Sequence, residues 1–289
     1  MAKLKPLLIE NFYGLLFTEF RTKVMGVINT TPDSFSDGGV HFGHDIAVET
    51  GLRMLDDGAD ILDIGGESTR PGSLPVGIEE EIRRTAPVIS AICRQRPEAV
   101  VSIDTRRKEV AQAALDAGAI IINDVSGFRD DPDLEVLAKD SGAFLVVMHM
   151  LGEPRTMQTD IHYDSFPGDI YTFFERRVAE LQDIGVPQEK IIIDPGIGFG
   201  KTFDQNLILI NRLNEFSGLG KPILMGPSRK AFIGKIIGES EASKRDIATM
   251  AAISMSICRG ASIVRAHDVK STVQVSRVTD AILREKIEL

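Results

Sequence analysis

The side chains best suited to chemistry in this 289-residue chain are acids and an amide that end apolar segments. Asp104, Asn123 and Asp194 each come directly after an isoleucine at the end of such a run. A carboxylate is costly to bury in apolar surroundings unless hydrogen-bond donors meet it. A flat heterocycle with an amino group and a ring N–H would bring such donors in one plane. The pattern therefore favours a ring-binding site over three unconnected helix caps or loop anchors.

Cationic side chains form a second group, in two later motifs. "GPSRKAFIG" places Ser228, Arg229 and Lys230 where a strand pattern gives way to a helix pattern. A helix amino terminus already attracts anions, so cations there indicate a ligand, with a solvated basic turn as the alternative. "RAHD" places Arg265 and His267 on one face of a strand. Because arginine binds phosphate through two N–H groups, the pair favours a pyrophosphate site over a structural histidine.

Two polar loops follow the first two strand patterns. "NTTPDSFSDGG", which begins at Asn29, stays polar and turn-forming until a helix pattern starts at Asp45. "GGESTRPGS" carries Thr69 and Arg70 among glycine, proline and serine. Such a loop predicts a mobile segment that closes over an anionic ligand, with an ordinary surface turn as the alternative.

"DPGIGFGKT" resembles a phosphate loop at first sight, but Pro195 stands where a Walker A motif needs glycine, so we reject a nucleotide-binding P-loop. Its Phe199 predicts either an aromatic wall or a hydrophobic plug. The role of His149 is left open between a core residue and a site residue. No histidine pair or cysteine cluster indicates a zinc centre, and we expect the two cysteines to be buried thiols without a disulfide.

Eight short apolar segments alternate with longer amphipathic ones. They are rich in valine, isoleucine and leucine without strict alternation, which is typical of parallel strands covered on both faces. Eight such units predict an α/β fold, the closed (β/α)8 TIM barrel, over an open doubly wound sheet with its glycine fingerprint. The predicted strands are 23–29, 60–66, 100–105, 120–127, 144–149, 191–196, 222–228 and 262–268.

The barrel gathers residues that are distant in sequence, because the carboxyl-terminal ends of its strands form one rim where active sites lie. We expect the acids deep in the barrel and the cations nearer its opening. The polar residues predicted at or near this rim are Asn29, Asp63, Glu67, Asp104, Asn123, His149, Asp194, Ser228, Arg265 and His267.

The whole chain is predicted as one barrel domain, 23–289, preceded by an N-terminal extension, 1–22, that forms a strand or hairpin. The 43% hydrophobic content suits one large core. A net charge of −9 argues against nucleic acid or an anionic membrane as the main partner. No segment approaches the roughly 18 uncharged apolar residues of a membrane span, and no cleavage-site pattern follows the first residues, so we expect a cytoplasmic protein.

Taken together, eight motifs between residues 25 and 269 closely resemble those of the dihydropteroate synthase family of folate biosynthesis, which sulfonamides inhibit. The motifs are "MGVINTTPDSFSDGG", "DIGGESTRPGS", "SIDT", "IINDVSG", "MHMLGEPRTMQ", "DPGIGFGKT", "GPSRKAFIG" and "RAHDV". The resemblance implies a TIM-barrel transferase that joins (7,8-dihydropterin-6-yl)methyl diphosphate to 4-aminobenzoate and releases diphosphate, with Mg²⁺ present.

The resemblance also implies roles for single residues. Asn29 would bind the metal. The pterin would be held by Asp104, Asn123, Asp194 and Lys230. The diphosphate would be contacted by Thr69, Arg265 and His267. The aminobenzoate would lie near Arg70 and the loop from Ser228 to Lys230, with Phe199 as a wall. The residues implied to act directly in catalysis are Asp104, Lys230, Arg265 and His267.

A homodimer is a further implication of the resemblance. The apolar faces of the last helices, for example Ile253, Met255 and Ile257, would allow one, or would be ordinary barrel packing.

Two other functions would suit parts of this pattern. A pterin-binding methyltransferase that passes a methyl group from methyltetrahydrofolate to a corrinoid protein would share the pterin residues, but it has no use for a diphosphate site such as Arg265 and His267. A non-catalytic pterin-binding paralogue would be indicated by the loss of Asn29, Asp104 or Lys230, and all three are present.

Overall fold

Eight parallel strands form the centre of the protein in a computed structural model that describes residues 6–17, 21–30, 40–68, 76–153 and 156–287. The strands are β1 (Lys23–Asn29), β2 (Ile61–Gly65), β3 (Val100–Asp104), β4 (Ile121–Asp124), β5 (Phe144–Met148), β6 (Ile191–Asp194), β7 (Leu224–Met225) and β8 (Ile263–Ala266). All eight predicted strands are confirmed. Most end earlier than predicted, because the polar residues at their carboxyl ends have already left the sheet.

The sheet closes at a short seam. Its order is β6-β5-β4-β3-β2-β1-β8-β7, and β1–β2 and β2–β3 each pair over five residues. Between β6 and β7 there is one isolated parallel bridge, Ile193 to Ile223, and the Ile193 N–H donates to the Pro222 carbonyl at 3.0 Å. The bridge makes a nearly closed barrel, so the TIM-barrel prediction is confirmed over the open sheet.

Ten α-helices accompany these strands in the described ranges. They are α1 (Pro6–Phe17), α2 (Val40–Asp56), α3 (Ile78–Gln95), α4 (Lys108–Ala117), α5 (Pro132–Ser141), α6 (Gly168–Asp183), α7 (Phe203–Asn211), α8 (Ala231–Ile237), α9 (Asp246–Cys258) and α10 (Val269–Arg284). On α3 the buried Val88, Ile89 and Ile92 follow helical spacing, which places one apolar face against the sheet. α10 starts just after β8, where the Asp268 side chain accepts from the Ser271 N–H and caps the helix.

Residues 6–17 of the N-terminal extension form the helix α1, so the strand or hairpin predicted for this segment is wrong. The apolar residues of α1 recur at helical spacing: Leu8 and Phe12, one turn apart, are both buried. The Phe12 ring meets the Phe144 ring edge-on, with centroids 4.7 Å apart. Phe144 begins β5, so α1 packs on the amino-terminal end of the barrel. Tertiary packing on this end gives the segment its helical form.

Other details differ from the sequence-based expectations. α2 begins at Val40 rather than Asp45, and residues 31–39 of the preceding loop lie outside the described part of the chain. Neither cysteine forms a disulfide, but Cys258 is exposed and Cys93 is half-buried, so neither has the buried position predicted for it. Among the described helices, none combines the length and the apolar content needed to cross a bilayer.

Candidate active site

One cavity at the carboxyl-terminal end of the barrel brings together most of the predicted site residues. Six of them line it, from four different strand ends and two loops. The lining residues are Asp104, Asn123, Val125, Met148, Asp194, Ile197, Phe199, Gly226, Lys230 and Arg265. The strand register explains part of this, because Gly65, Asp104 and Asn123 are direct neighbours across β2, β3 and β4.

An ionic cluster forms the deep end of this cavity. Arg265 on β8 donates from Nε to Asp63 Oδ2 at 2.6 Å and from Nη2 to Asp104 Oδ2 at 3.0 Å. Asn123 donates from Nδ2 to the same Asp63 oxygen at 3.0 Å. Arg265 therefore lies among the acids, with its side chain only 22% exposed, and not at the opening where the sequence placed it. Two close carboxylates explain this position, because each is costly to bury without a cation.

The acids of the cavity are held in an environment that disfavours their charge. Burial raises the pKa of Asp104 to about 7; the negative charge of Asp63 adds to this and the Arg265 guanidinium opposes it. Burial likewise raises the pKa of Asp194 to about 6, against the lowering effects of the Gly196 N–H and the Lys230 charge. Both carboxylates are therefore suited to a ligand that brings N–H donors.

The loop after β6 aims Asp194 and Phe199 at the cavity. Asp194 Oδ1 accepts from the Gly196 N–H at 2.8 Å. Gly196 has a φ of 70°, and a Cβ there would lie 1.9 Å from the His149 carbonyl oxygen, so only glycine fits this close approach. The turn that glycine permits carries the chain back across the cavity.

Lys230 lies over the face of Phe199, with Nζ 4.1 Å from the ring centroid. A Cβ at Gly198 would come within 3.0 Å of the Lys230 Cδ, so the absence of a side chain leaves room for the lysine stem. This stacking is a cation–π contact, which fixes both side chains at the same wall of the cavity. The structure thus brings Phe199 and Lys230 together as one surface.

Beneath this loop lies a pair that the sequence did not assign. Lys201 is buried and contacts three acceptors: its Nζ lies 3.1 Å from His149 Nδ1, 3.0 Å from the Phe199 carbonyl and 3.4 Å from the His149 carbonyl. Burial lowers the pKa of Lys201 to about 7, and burial together with the Lys201 charge holds the pKa of His149 well below its usual value. His149 is therefore a core residue that anchors the loop, outside the cavity lining.

Of the two cationic motifs, Lys230 and Arg265 line the cavity, whereas Ser228, Arg229 and His267 are outside its lining. Ser228 Oγ and His267 Nδ1 lie 3.0 Å apart, and the His267 N–H donates to Ser228 Oγ at 3.2 Å. Arg229, in contrast, pairs through two bonds of 2.7 and 2.8 Å with Asp246 at the start of α9. Arg229 is therefore held by Asp246, 17 residues later in the chain, and its expected role toward the ligand stays a prediction.

Asn29 ends β1 beside Gly65, which in turn neighbours Asp104. Thr69 and Arg70 lie outside the described residues. In the described part of the chain no cluster of three or more histidine, cysteine or acidic side chains could hold a metal ion. Mg²⁺ does not require such a cluster, since that ion commonly uses one or two protein oxygens and completes its octahedron with water and substrate phosphates.

Asp63 is the residue that sequence reasoning placed at the rim without giving it a role. It is fully buried, and it contacts two of the predicted ligand-binding side chains. The signal was present in "DILDIGG": Asp63 falls inside an apolar strand, where a carboxylate requires a strong partner. Its charged partner, Arg265, is on β8, some 200 residues later in the chain.

Comparison with known proteins agrees with this geometry. The model of the pterin binding enzyme family matches residues 25–267. A dihydropteroate synthase of Synechocystis sp. is 46% identical over 264 residues, which cover 91% of both chains.

Solved structures of the same kind superpose closely. The dihydropteroate synthase of Xanthomonas albilineans with 4-aminobenzoic acid gives a TM-score of 0.85 at 41% identity, covering 91% of this chain and 93% of that one. Its complex with 7,8-dihydropteroate gives 0.82 at 39% identity, with 91% and 94% covered. The Yersinia pestis enzyme with a sulfonamide drug gives 0.86 at 38% identity, with 92% and 96% covered. By its fold and its sequence, this chain belongs to the dihydropteroate synthase family.

Proposed function

We propose that the protein condenses (7,8-dihydropterin-6-yl)methyl diphosphate with 4-aminobenzoate, giving 7,8-dihydropteroate and diphosphate in folate biosynthesis. One observation carries the proposal: a single cavity presents two buried carboxylates and an amide together with a lysine and an arginine. Family membership and the relative bound to 7,8-dihydropteroate support it. The corrinoid methyltransferase finds no support among these relatives.

The pterin ring is assigned to Asp104, Asn123 and Asp194. Each carboxylate has a pKa raised by burial, so donors that favour its charged form gain more binding energy there than in water. The amino group and ring N–H of the pterin are such donors. Lys230, beside Asp194, adds a cation for a ring oxygen or nitrogen acceptor.

The aminobenzoate is assigned to the wall that Phe199 and Lys230 form together. The aminobenzoate ring would stack against Phe199, and its carboxylate would lie near the Lys230 ammonium on the same wall. Ser228 lies two residues before Lys230 in the chain. Arg70, assigned here by its motif, supplies a further cation.

The diphosphate is assigned to Arg265, His267 and Ser228, with Thr69 added by its motif. The two bonds that hold Arg265 to the acids use only two of the five N–H donors of a guanidinium. Ser228 and His267 are within hydrogen-bond distance of each other, so they form one donor pair at the ends of β7 and β8.

Mg²⁺ is proposed as the cofactor, held by the Asn29 amide oxygen and by the diphosphate itself. When bound, it neutralises part of the charge that grows on the leaving diphosphate. The single side-chain ligand agrees with the absence of an acidic cluster among the described residues.

The reaction needs a good leaving group more than a strong base. The methylene C–O bond breaks with its electron pair passing to diphosphate, where the guanidinium of Arg265 and the imidazole of His267 stabilise the developing charge. The methylene becomes electron-poor, and the carboxylates Asp104 and Asp194 stabilise positive charge on the attached ring. The neutral arylamine then forms the C–N bond, and its surplus proton passes to the departing diphosphate or to water.

We further propose that the enzyme is a cytoplasmic homodimer and a target of sulfonamides. The relative solved with a sulfonamide drug supports the last point. For the dimer, Ile253 and Ile257 are buried within the barrel, so of the three residues first considered only Met255 is exposed. The exposed apolar residues of α10, Val278, Ile282 and Leu283, are better candidates for the contact.

The decisive experiment mixes the purified protein with the pterin diphosphate, 4-aminobenzoate and Mg²⁺ and measures pyrophosphate against dihydropteroate. We expect pyrophosphate and dihydropteroate in equal amounts. When aminobenzoate is omitted, we expect no dihydropteroate. Pterin binding without any release of pyrophosphate would instead indicate a non-catalytic paralogue.

A further inference from the structure

Asp63 lies beneath the cavity at the middle of β2, where its side chain is fully buried. Its Oδ2 accepts two hydrogen bonds, from Arg265 Nε at 2.6 Å and from Asn123 Nδ2 at 3.0 Å. Its Oδ1 is buried and has no hydrogen-bond partner among the described residues. A buried carboxylate that served only the stability of the fold would be expected to have partners for both oxygens, because an unpaired buried acceptor is costly.

The two donors to Asp63 are the side chains assigned to the two ends of the first substrate. Asn123 is assigned to the pterin ring and Arg265 to the diphosphate. Asp63 accepts a side-chain hydrogen bond from each of these two residues, and it is not itself part of the cavity lining.

We propose that Asp63 is a positioning residue of the pterin diphosphate site, which orients the Asn123 amide and provides the fixed point about which Arg265 turns. The proposal rests on the function proposed above, and it adds a residue and a motion to it.

The orientation of Asn123 follows from the chemistry of the acceptor. An ionised carboxylate accepts only, so the amide nitrogen of Asn123 must face Asp63. The amide oxygen then faces away from Asp63, and Asn123 is part of the cavity lining. The oxygen is thereby presented to a ring N–H beside Asp104, the direct neighbour of Asn123 across β3 and β4.

The motion of Arg265 follows from competition at Asp104. Its Nη2 donates to Asp104 Oδ2, the same carboxylate that is assigned to the pterin. When ring donors occupy Asp104, the Nη2 bond is replaced, while Nε keeps its bond of 2.6 Å to the deeper Asp63. The guanidinium therefore turns about Nε and carries its outer N–H groups to the diphosphate. Binding of the ring would in this way deliver the cation that the leaving group needs.

The first test is Asp63→Asn, which keeps a carbonyl oxygen for the two donors and removes the charge. We expect the KM for the pterin diphosphate to rise about tenfold or more and kcat to fall, with the KM for 4-aminobenzoate within about twofold of wild type. The matched control is Asp124→Asn, which changes another fully buried carboxylate, at the end of β4, whose side chain bonds Ser126 and the Phe128 N–H of its own loop. We expect no such separation of the two KM values in the control.

A loss of thermal stability in Asp63→Asn with an unchanged KM for the pterin diphosphate would overturn the proposal and leave Asp63 a structural residue. Titration with 7,8-dihydropteroate makes the same comparison without turnover, so inactivity of the wild type would count against the proposed function only. Weaker binding by Asp63→Asn than by Asp124→Asn is the supporting result.

The second test needs no substitution and so does not depend on the variants folding. In a crystal structure of the wild type with 7,8-dihydropteroate, we expect the bonds from Asp63 to Arg265 Nε and Asn123 Nδ2 to persist and the bond from Arg265 to Asp104 to be lost. Retention of the Asp104 bond, or departure of Arg265 from both acids, would contradict the turning motion.

Discussion

Arg265 stands between two carboxylates of unequal depth, and this position decides what its removal would do. Asp63 is fully buried and Asp104 has a side chain 15% exposed. The sequence alone suggests that Arg265→Ala and Asp104→Asn both reduce turnover and leave the fold intact. The ionic contacts separate the two variants, because only the first leaves buried charges without a partner.

We predict that Arg265→Ala lowers turnover about 100-fold or more and lowers the free energy of unfolding by about 3 kcal/mol or more. Asp104→Asn is expected to lower turnover to a similar extent, because the pterin loses a charged acceptor, with no comparable loss of stability. Pyrophosphate release and urea denaturation measure the two effects. Equal stability of the two variants would show that the cluster contributes little to folding.

Asp194 offers a test of the trade between stability and function at a single side chain. Its folded-state pKa of about 6 lies above the usual value of 3.8, so the folded state binds the proton more tightly than the unfolded state does. The carboxyl therefore makes its full favourable contribution to the free energy of unfolding below about pH 4, and this contribution is lost as the pH rises through 6.

We predict that Asp194→Asn abolishes pterin binding and yet raises the free energy of unfolding by about 1–3 kcal/mol at pH 8. The difference from wild type should disappear near pH 3, below both pKa values, where the carboxyl is protonated in both states. The Gly196 N–H keeps its acceptor in the variant, so the comparison isolates the charge. Urea titrations at the two pH values provide the measurement, and a variant less stable than wild type at pH 8 would contradict it.

At the scale of the elements, α1 packs at the end of the barrel opposite the site. Phe12 is fully buried and its ring meets Phe144 at the amino-terminal end of β5, whereas the cavity lies at the carboxyl-terminal ends of the strands. Its contribution should therefore appear in stability alone.

We predict that Phe12→Ala lowers the free energy of unfolding by about 3–5 kcal/mol, because it opens a cavity between α1 and the barrel. The kcat of the folded fraction should match that of wild type. Asn11→Ala, at the exposed neighbouring position, is the control and should change stability little. A large fall in kcat with Phe12→Ala would mean that α1 also shapes the distant cavity.

The elements also show where the sequence sufficed. The eight strands could be read from runs such as "IIIND" and "IIIDPG", because parallel strands buried on both faces have a distinctive composition. α1 could not, since its short apolar run suits a strand or a helix until its packing partner is known. The same holds at the site. Strand ends placed Asp104, Asn123 and Asp194 correctly, whereas the directions of Arg229 and Arg265 depend on contacts with Asp246 and Asp63, 17 and 202 residues away in the chain.

At the scale of the whole molecule, α10 carries three exposed apolar side chains, Val278, Ile282 and Leu283. Val278 and Ile282, one helical turn apart, are 61% and 70% exposed. Exposed aliphatic residues grouped on one helix are typical of a surface that another protein covers.

We predict that Ile282→Asp shifts the protein from dimer to monomer in sedimentation-velocity experiments, because a charge within an apolar interface is costly. The control is Ile236→Asp, an equally exposed isoleucine on α8, which should leave the sedimentation coefficient unchanged. A wild-type protein that sediments as a monomer at micromolar concentration would contradict the proposed dimer.

The short seam between β6 and β7 has one further consequence. A backbone cut at Gly220, which is exposed and adopts a positive φ of 61°, would fall just before β7 and break no ladder of the sheet. It would divide the site: Asp104, Asn123 and Asp194 would belong to the longer fragment, and Lys230, Arg265 and His267 to the shorter one. Neither polypeptide could work alone. Co-expressed, they would regain activity only by reassembling, so product formation would report directly on the joining of the two pieces.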